Sequence, residues 1–537
     1  MVLGPHILAI DLGTSGPKVA AVSVEGELLD YAFAPTQLLL FPGGGAEQDP
    51  ADWWRAVVAA THALFARHPE VAAQVAAVAV TAQWSGTVPV DREARPLSNA
   101  HIWMDSRGAP DVARATRGTP SVKGYGLFKL VRWLRLTGGV PTRAGKDSIA
   151  HILYIRRQLP DLYAEAFKFL DPTDWLNAKL TGRIASSFAT IALHWVTDNR
   201  DLARVHYDDK LLSWCGLDRD KLPELHPTTD VLGPLLPAVA SELGIPAAAR
   251  VIMGAPDVHS ATLGAGAIAD GATQLYVGSS SFITCHVPFK KVDVVHNMAS
   301  VPSALPDRYI VPNAQETAGL CLSHLLDQQL YPDDELSLGP RPADPYERLD
   351  RAVAQVPPGA DKLLFTPWLY GERCPVEDAS LRGGFFNYSL KTTRRHVARA
   401  VLEGVALNSR WTLGYHEKFI GKRLDSIAMI GGGARSDQWC QIHADVLGIP
   451  VRQVANPVQA NAVGVAFLAS LSLGHLKRED LPGRVRIAHT WEPRPQYRAL
   501  YDELFGAFLE IYKRNRKLYA RLNRPEVPGA GAAGGQR

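Results

Sequence analysis

The 537-residue sequence is poor in cysteine and has no long apolar run. Its five cysteines stand singly along the chain, with no Cys-x-x-Cys pair. This excludes a cysteine-rich zinc site or a disulfide framework and favours a reducing compartment. No apolar run reaches the ~18 residues of a membrane-spanning helix. A Walker A loop, a Gly-x-Ser-x-Gly elbow and histidines at metal-ligand spacing are also missing, which argues against P-loop proteins, α/β-hydrolases and zinc enzymes.

The chain has little excess charge of either sign. Its 57 Lys and Arg against 54 Asp and Glu leave a net charge of +3, and no basic stripe carries interleaved aromatic residues. We therefore expect neither nucleic acid nor a membrane as a partner. Hydrophobic residues make up 46% and charged residues 21%, which is typical of a globular protein, and the length predicts two or more domains. Because no basic leader precedes the first strand, we expect a cytoplasmic location.

The stretch 7–22 predicts two buried strands joined by a glycine turn. The turn, Gly13-Thr14-Ser15-Gly16, holds two glycines and two hydroxyls. Glycine permits positive φ, so successive N–H groups can face one anion. Asp11 just before the turn would oppose a bound phosphate unless a cation lay between them, which makes it a candidate magnesium ligand. An ordinary hairpin with a structural Asp is the alternative.

The stretch 273–284 repeats this plan of strand, Gly-hydroxyl turn and strand. Two such hairpins about 260 residues apart predict two halves of similar construction, each offering a phosphate loop to one nucleotide. A third glycine turn, 431–436, follows a strand at 426–430, and a helix of small residues at 461–466 could lie against it. Tight turns and close helix packing are the alternative for each.

Polar residues follow the predicted strand 78–81. The segment 82–86 lies where open α/β sheets commonly bind ligands. Further on, Trp103, Asp105 and Arg107 can stack on a sugar ring and bind its hydroxyls, with a packed Trp and a structural ion pair as the alternative.

A carboxylate also follows the strand predicted at 250–253. Asp257 stands at the start of a helix, where an Asp often serves only as an N-cap. The nearby segment 264–269 fits a loose dinucleotide pattern but does not follow a strand, so a dehydrogenase is a weak hypothesis. Residues 110–230 are expected to be mainly helical, with one helix closed by Gly182.

Together these stretches resemble the FGGY carbohydrate kinases of the actin and hexokinase superfamily, over about residues 7–473. The segment 365–375 is similar to the family's F-x-P-x-x-x-G-E-R-x-P stretch. The segments 382–386 and 396–404 follow its second-half signature, and 431–436 with Trp439 resembles its adenosine-side loop. Within the family the overall likeness is greatest to the xylulose kinases.

The resemblance implies an α/β fold with two actin-like (ribonuclease H-like) domains flanking a deep catalytic cleft. An N-terminal domain, 1–265, would bind the sugar and carry the first phosphate loop. A C-terminal domain, 266–475, would bind the nucleotide. A helical extension, 476–523, and a disordered tail, 524–537, would follow.

It also implies site residues, with ATP and Mg²⁺ as cofactors. Asp257 would be the general base and Asp11 the residue that holds magnesium. The residues implied in substrate binding are Gln83, Trp84, Ser85, Trp103, Asp105, Arg107 and Asp257. Those implied in ATP binding are Gly13, Thr14, Ser15, Lys18, Gly278, Ser279, Gly432, Gly433, Ser436 and Asn461.

The expected activity is ATP-dependent transfer of the γ-phosphate to a terminal hydroxyl of a ketose or polyol. Three positions depart from the xylulose kinase pattern: Ser85 stands in place of a histidine, Val258 in place of an asparagine, and Ser281 in place of a glycine. Another sugar such as ribulose, gluconate or a polyol is therefore an open alternative, as is a sugar- or nucleotide-binding regulator on the same fold. The expected partners are the sugar or polyol and ATP, and a homodimer is left open.

Overall fold

A computed structural model describes residues 4–337 and 339–523, which contain two large β-sheets. The strands of the first are β1 His6–Gly13, β2 Gly16–Ser23, β3 Leu28–Phe33, β4 Val75–Ala82, β5 Val231–Pro234 and β6 Arg250–Ile252. Those of the second are β7 Thr273–Val277, β8 Ser281–Val287, β9 Val301–Pro302, β10 Tyr309–Ile310, β11 Asn313–Gln315, β12 Ile427–Ile430, β13 Val451–Val454 and β14 Ile487–Trp491. The expected tail, 524–537, lies outside the described residues.

The helices used below are α1 Pro50–Arg67, α2 Ser148–Gln158, α3 Pro172–Thr181, α4 Asp257–Gly264, α5 Arg394–Ile420, α6 Asp437–Leu447, α7 Ala460–Ser472 and α8 Arg498–Leu522. Shorter helices span Pro69–Ala72, Ala109–Thr116, Leu127–Thr137, Pro160–Glu165, Asp209–Cys215, Pro237–Leu243, Gly319–Leu325, Leu326–Leu330, Pro345–Val353 and Leu481–Arg484. Single 3₁₀ turns span Thr190–His194, Arg219–Lys221, Ala360–Lys362, Gly432–Arg435, Arg478–Asp480 and Pro495–Tyr497. No helix in the described part of the chain is both long and apolar enough to cross a bilayer.

Small ladders complete the list of strands. They pair within the set Leu39–Phe41, Gly45–Gln48, Val88–Val90, Ala100–His101, Ser121–Val122, Tyr125–Gly126, Lys168–Leu170, Ala185–Ser187, Thr197–Asp198, His206–Tyr207, Glu224–His226, Val292–Asp293, Met298–Ala299, Leu364–Thr366 and Gly384–Phe386. Seven of them fall between 110 and 230, but most of the regular secondary structure in this region is helical, as predicted, and the strands are short additions to it. Two-residue strands carry too little periodic pattern to be recognised in the sequence.

The two large sheets share one topology. The first has the order β5-β6-β4-β1-β2-β3, and the second has β9-β10-β8-β7-β12-β13-β14. In the first sheet β1 is antiparallel to β2 and parallel to β4, which is parallel to β6. In the second, β7 is antiparallel to β8 and parallel to β12, which is parallel to β13. The prediction of two similarly constructed α/β halves is confirmed.

The first sheet is covered on both faces, as its apolar strands require. Alternate residues of β1 point to opposite sides. Leu8 and Ile10 pack with Trp53 of α1, in one apolar cluster. Ile7 packs with Val465 of α7, in another. Helix α7 therefore covers the first sheet, although the chain reaches it only after the second sheet's inner strands.

Helices α4 and α7 cross with their backbones in contact. A Cβ atom on Gly464 would lie 1.8 Å from the Ser260 carbonyl oxygen, and one on Gly264 would lie 1.8 Å from that of Ala460. Only glycine permits this approach, so the segment that begins at Gly264 serves helix packing and does not form a dinucleotide loop. Because α4 begins at Asp257, this packing fixes the position of a candidate catalytic residue.

Candidate functional site

The carboxyl end of β1 and the start of α4 lie close together. Asp11 lies opposite Lys18 in the β1–β2 pairing, and the Lys18 Nζ atom is 3.4 Å from the Asp11 Oδ2 atom. Asp11 is only 1% exposed. Its negative charge raises the pKa of Lys18, and Tyr276 and Asp257 act in the same direction. Residues from both hairpins therefore surround one pair of carboxylates.

Asp257 is the first residue of α4 and is not its N-cap, which is Pro256. Its Oδ1 atom accepts a hydrogen bond from the Val258 N–H at 2.8 Å. Burial, and then the charge of Asp11, raise the pKa of Asp257 to about 7, although Lys18 and the backbone N–H groups of Val258 and Trp84 oppose the shift. A carboxylate with a pKa near neutrality is suited to accept a proton as a general base.

Tyr276 on β7 is a member of this site that the sequence reasoning missed. Its ring stacks on Phe282 with centroids 4.5 Å apart. A Cβ atom on Gly278 would lie 2.4 Å from the Tyr276 ring, so the tyrosine lies against the second glycine turn. Burial raises the pKa of Tyr276 to about 12, and the charges of Lys18, Asp11 and Asp257 also act on it. The signal that was available is an aromatic residue two positions before the glycine, on the strand of a predicted phosphate hairpin.

A chain of hydrogen bonds links the first glycine turn to the predicted sugar side. Trp103 donates its indole N–H to the Thr14 hydroxyl at 3.0 Å, and that hydroxyl donates to the Gln83 side-chain oxygen at 2.9 Å. Gln83 donates to the side chain of Gln48 at 2.7 Å, and Gln48 donates to the Thr14 carbonyl at 2.8 Å. Three of these residues were expected to bind ligands, and Gln48 is an unpredicted member that closes the ring.

Trp84 and Ser85 are anchored within the protein. Trp84 is 8% exposed, donates its indole N–H to the Thr190 carbonyl at 2.9 Å, and meets His259 edge-on at 4.9 Å. Ser85 has φ +69°, and its hydroxyl donates to the Lys146 carbonyl at 2.8 Å. Their side chains therefore shape the wall at the end of β4, and a direct contact of either with a substrate stays a prediction.

Asp105 and Arg107 form an ion-pair network with Glu47 and His101. Arg107 donates to Glu47 and Asp105, each at 2.5 Å, while His101 lies 3.3 Å from the second carboxylate. Burial opposes ionisation of Asp105, but hydrogen bonds from His101 and Arg107 hold its pKa well below the usual range. The three acidic and histidine ligand atoms lie close enough to hold a metal ion. Arg107 already supplies the positive charge there.

The second glycine turn abuts a helix start. The carbonyl oxygens of Gly278 and Ser279 accept the N–H groups of Gly319 and Ala318 at 2.8 and 2.9 Å. Ser279 itself is exposed. This brings the start of the helix Gly319–Leu325 up to the predicted phosphate loop, whose carbonyl oxygens occupy the first N–H groups of the helix.

The third glycine turn follows β12 and leaves space beside it. Gly431 has φ +85°, and a Cβ atom there would strike the Val277 carbonyl. Gly432 is exposed with open space around it, whereas a Cβ atom on Gly433 would lie 2.6 Å from the side chain of Val277. Ser436 donates to Asp350 at 2.8 Å and caps α6 through the Trp439 N–H. The open face at Gly432 can admit a flat ring.

Asn461, the last residue predicted on the ATP side, is half-buried on α7. Its neighbour Ala460 packs in one cluster with Ile430, the residue before the third glycine turn. The structure thus brings Asp11, Lys18, Tyr276 and Asp257 together at the centre, with the predicted sugar and nucleotide residues on either side of them. The assignment of each residue to a ligand stays a prediction.

Known proteins match this sequence along nearly the whole chain. The N-terminal domain of the FGGY family of carbohydrate kinases matches residues 6–264, and its C-terminal domain matches residues 275–473. The xylulose kinase of Bacillus subtilis is 27% identical over 96% of this chain and 98% of its own length. A gluconokinase of Bacillus licheniformis is 23% identical over 96% and 97%. The crystal structure of gluconate kinase from Lactobacillus acidophilus aligns with a TM-score of 0.83 at 23% identity, over 97% of this chain and 100% of that one.

The fold and the family models therefore lead to one conclusion. The two-domain α/β architecture is confirmed, and so is the resemblance seen in the sequence. The chain belongs to the FGGY family of carbohydrate kinases and is an ATP-dependent sugar kinase.

Proposed function

We propose that this kinase transfers the γ-phosphate of ATP to a terminal hydroxyl of a small open-chain sugar derivative, with Asp257 as the general base and Mg²⁺ beside Asp11. One observation carries the proposal. A half-buried carboxylate with a pKa of about 7 lies beside Asp11 and Lys18, where both glycine hairpins meet. Domains divided near residue 265, a cytoplasmic location and a homodimer stay predictions.

The residues present fit a hard divalent cation at Asp11. Its only close cation in the described ranges is Lys18 at 3.4 Å, which is longer than a strong charge-assisted hydrogen bond. Carboxylate oxygens are therefore left to bind Mg²⁺, which commonly uses one or two carboxylates together with substrate phosphates and water. When bound, the ion supplies neutralisation of charge on the phosphates.

The proposed reaction needs mainly positioning and one proton acceptor. The substrate hydroxyl oxygen forms a bond to the γ-phosphorus while the bond to the β,γ-bridging oxygen breaks. Asp257 takes the hydroxyl proton on a carboxylate oxygen that the Val258 N–H does not occupy, and ADP is released. Lys18 stabilises the ionised form of this carboxylate.

The relatives support a sugar of five or six carbons. One of those above is named a xylulose kinase and another a gluconokinase. At less than 30% identity neither name fixes the substrate here. Trp84 fills part of the wall beside Asp257, so the substrate pocket is shaped by a bulky indole that is anchored to Thr190. Ketoses, polyols and sugar acids therefore belong in one panel.

The proposal is tested by ADP release with that panel, in the wild type and in Asp257→Asn. Asparagine keeps the size of the side chain and its acceptor for Val258 but cannot take the proton. We expect kcat to fall by about 10²–10⁴-fold, with the KM for ATP within a few-fold of the wild type.

The matched control is Asp209→Asn, since Asp209 has a side chain that is 86% exposed. Its kcat should equal that of the wild type. Turnover in Asp257→Asn near the wild-type rate would remove Asp257 from the mechanism. Failure of the wild type to release ADP with every member of the panel would contradict the substrate class.

A further inference from the structure

The ring of Tyr276 lies between the second and third glycine turns. A Cβ atom on Gly278 would lie 2.4 Å from the Cε1 atom of the ring and 2.6 Å from the hydroxyl oxygen. A Cβ atom on Gly431 would lie 3.2 Å from Cε2, on the other edge of the ring. The hydroxyl of Tyr276 is therefore next to the turn that the sequence predicts to hold a phosphate.

Strand pairing and apolar packing hold this ring in place. Tyr276 lies opposite Phe282 in the pairing of β7 with β8, and the two rings stack with an interplanar angle of 6°. Tyr276 and Val258 pack against the same apolar cluster, which also contains Ile430. Because Val258 directly follows Asp257, this cluster connects the ring to the start of α4. A ring that is already ordered presents its hydroxyl at little conformational cost.

Three charged groups of the site act on the Tyr276 hydroxyl. Lys18 lowers its pKa, whereas Asp11 and Asp257 raise it. Burial is the largest influence and brings the pKa to about 12, so the phenol keeps its proton at neutral pH. The hydroxyl is therefore a neutral hydrogen-bond donor beside two carboxylates and one ammonium group.

No protein group uses this donor. In the described part of the chain nothing forms a hydrogen bond with the Tyr276 hydroxyl, and its oxygen is not sealed from solvent. The hydroxyls of Tyr163, Tyr207 and Tyr309 each donate to a carboxylate or a carbonyl oxygen. Half-buried tyrosines commonly find such a partner. The fixed ring of Tyr276 thus leaves its donor free for a ligand.

We propose that Tyr276 is a further catalytic residue, whose hydroxyl donates a hydrogen bond to an oxygen of the γ-phosphoryl group during its transfer to the substrate. The inference rests on the proposed function for the transfer itself. Gly278 belongs to the turn expected to hold the phosphates, and Asp257 is expected to take the proton of the attacking hydroxyl. The transferred group must lie between the two.

A neutral donor suits this position better than a second cation does. Another positive charge would lower the pKa of Asp257 and weaken it as a base. A phenol O–H stabilises the phosphoryl oxygens without adding a charge.

Tyr276→Phe tests this role because it removes the hydroxyl and keeps the ring on Phe282. We expect kcat/KM for ATP to fall by about 10–100-fold, the loss of one hydrogen bond to a charged group. The KM for the sugar should stay within a few-fold of the wild type, because the hydroxyl contacts only the phosphoryl group. Activity equal to the wild type, or a loss confined to the KM for the sugar, would overturn the inference.

The matched control is Tyr415→Phe. Tyr415 is half-buried near the end of α5, and its ring stacks on His296 with centroids 4.0 Å apart. The control thus removes the same hydroxyl from another stacked ring, and its kcat/KM should equal that of the wild type. An equal loss in both variants would assign the effect to a general weakening of the fold and would overturn the inference.

Binding separates this inference from the proposed function. Titration calorimetry with Mg²⁺ and either ADP or the β,γ-imido analogue of ATP requires neither turnover nor a sugar. Tyr276→Phe should bind the analogue about 10–100-fold more weakly than the wild type does, with an unchanged affinity for ADP, since only the analogue carries a γ-phosphoryl group. This result would support the inference even if no sugar of the panel led to ADP release or if Asp257→Asn kept full activity.

Three results of the calorimetry would overturn the inference. They are equal affinity of wild type and variant for the analogue, a parallel loss of affinity for ADP, and no binding of the analogue by the wild type.

Discussion

Asp257 acquires its chemistry from residues that are distant in sequence. Burial and Asp11 raise its pKa, and Lys18 opposes them. Asp11 and Asp257 could each be predicted because they follow apolar strands, where ligand sites commonly lie. Gln48 could not, because its role depends on side-chain contacts across 35 residues. For Tyr276 the only sequence signal was its place on the hairpin strand, and its role became visible only with the charges that the fold brings around it.

The pH dependence of the wild type follows from the raised pKa of Asp257. A general base works only when ionised, so activity should be low below the pKa and should reach a plateau above it. We expect kcat/KM to rise with pH through about 7 and then to stay level until other groups titrate. A pH–rate profile between pH 5.5 and 9 measures this limb.

Substitution of Lys18 tests whether nearby charges set the pKa of Asp257. The positive charge of Lys18 lowers this pKa, so Lys18→Met should move the acid limb of the pH–rate profile upward by about one pH unit. This is at the low end of the pKa shifts of about 1–3 units that an opposite charge causes. Lys179→Met should leave the limb in place, because this ammonium group lies on the ring of Trp54 at the far end of α3. An unmoved limb in Lys18→Met would show that another group sets the profile.

At the scale of the element, the contact between α4 and α7 decides where Asp257 lies. The sequence predicted a helix of small residues at 461–466 near the third glycine turn. Ala460 does pack with Ile430 there, but the same helix also lies against α4 and covers the first sheet. A run of small residues indicates that a helix packs closely against another element. It does not indicate which element, because the fold topology decides that.

Gly464→Ala should destabilise the fold at this contact. The added Cβ would lie 1.8 Å from the Ser260 carbonyl oxygen, a backbone atom that cannot move alone. We expect a loss of at least about 2–3 kcal/mol in the free energy of unfolding, as for severe overpacking. Urea unfolding measures the loss, and kcat should fall as well because α4 carries Asp257.

The control uses the same change in an open position. Gly414 lies in α5, and a Cβ atom there would have no neighbouring atom within 4 Å, so Gly414→Ala should be neutral or stabilise by up to about 1 kcal/mol. Equal stability of the two variants would mean that α4 and α7 do not approach each other this closely.

At the scale of the whole molecule, the resemblance to the FGGY carbohydrate kinases predicted more of the fold than any single sequence pattern did. The similar hairpins at 13 and 278 suggested two related halves, and the two sheets indeed share their strand pairing. The pattern could not show that α7 returns to the first sheet after the inner strands of the second are complete.

Because the site is divided between the two halves of the chain, we expect the halves to close on bound ligands. Asp11 and Lys18 belong to the first half, and Tyr276 and Gly278 to the second. A sugar substrate and a nucleotide bound together contact both halves and should draw them together, which excludes water from Asp257. The radius of gyration from small-angle scattering should fall with sugar plus a non-hydrolysable ATP analogue more than with either alone. Asp257→Asn should close in the same way, since it loses the proton acceptor and keeps the contacts. An unchanged radius in the ternary complex would mean that the cleft is already in its working form.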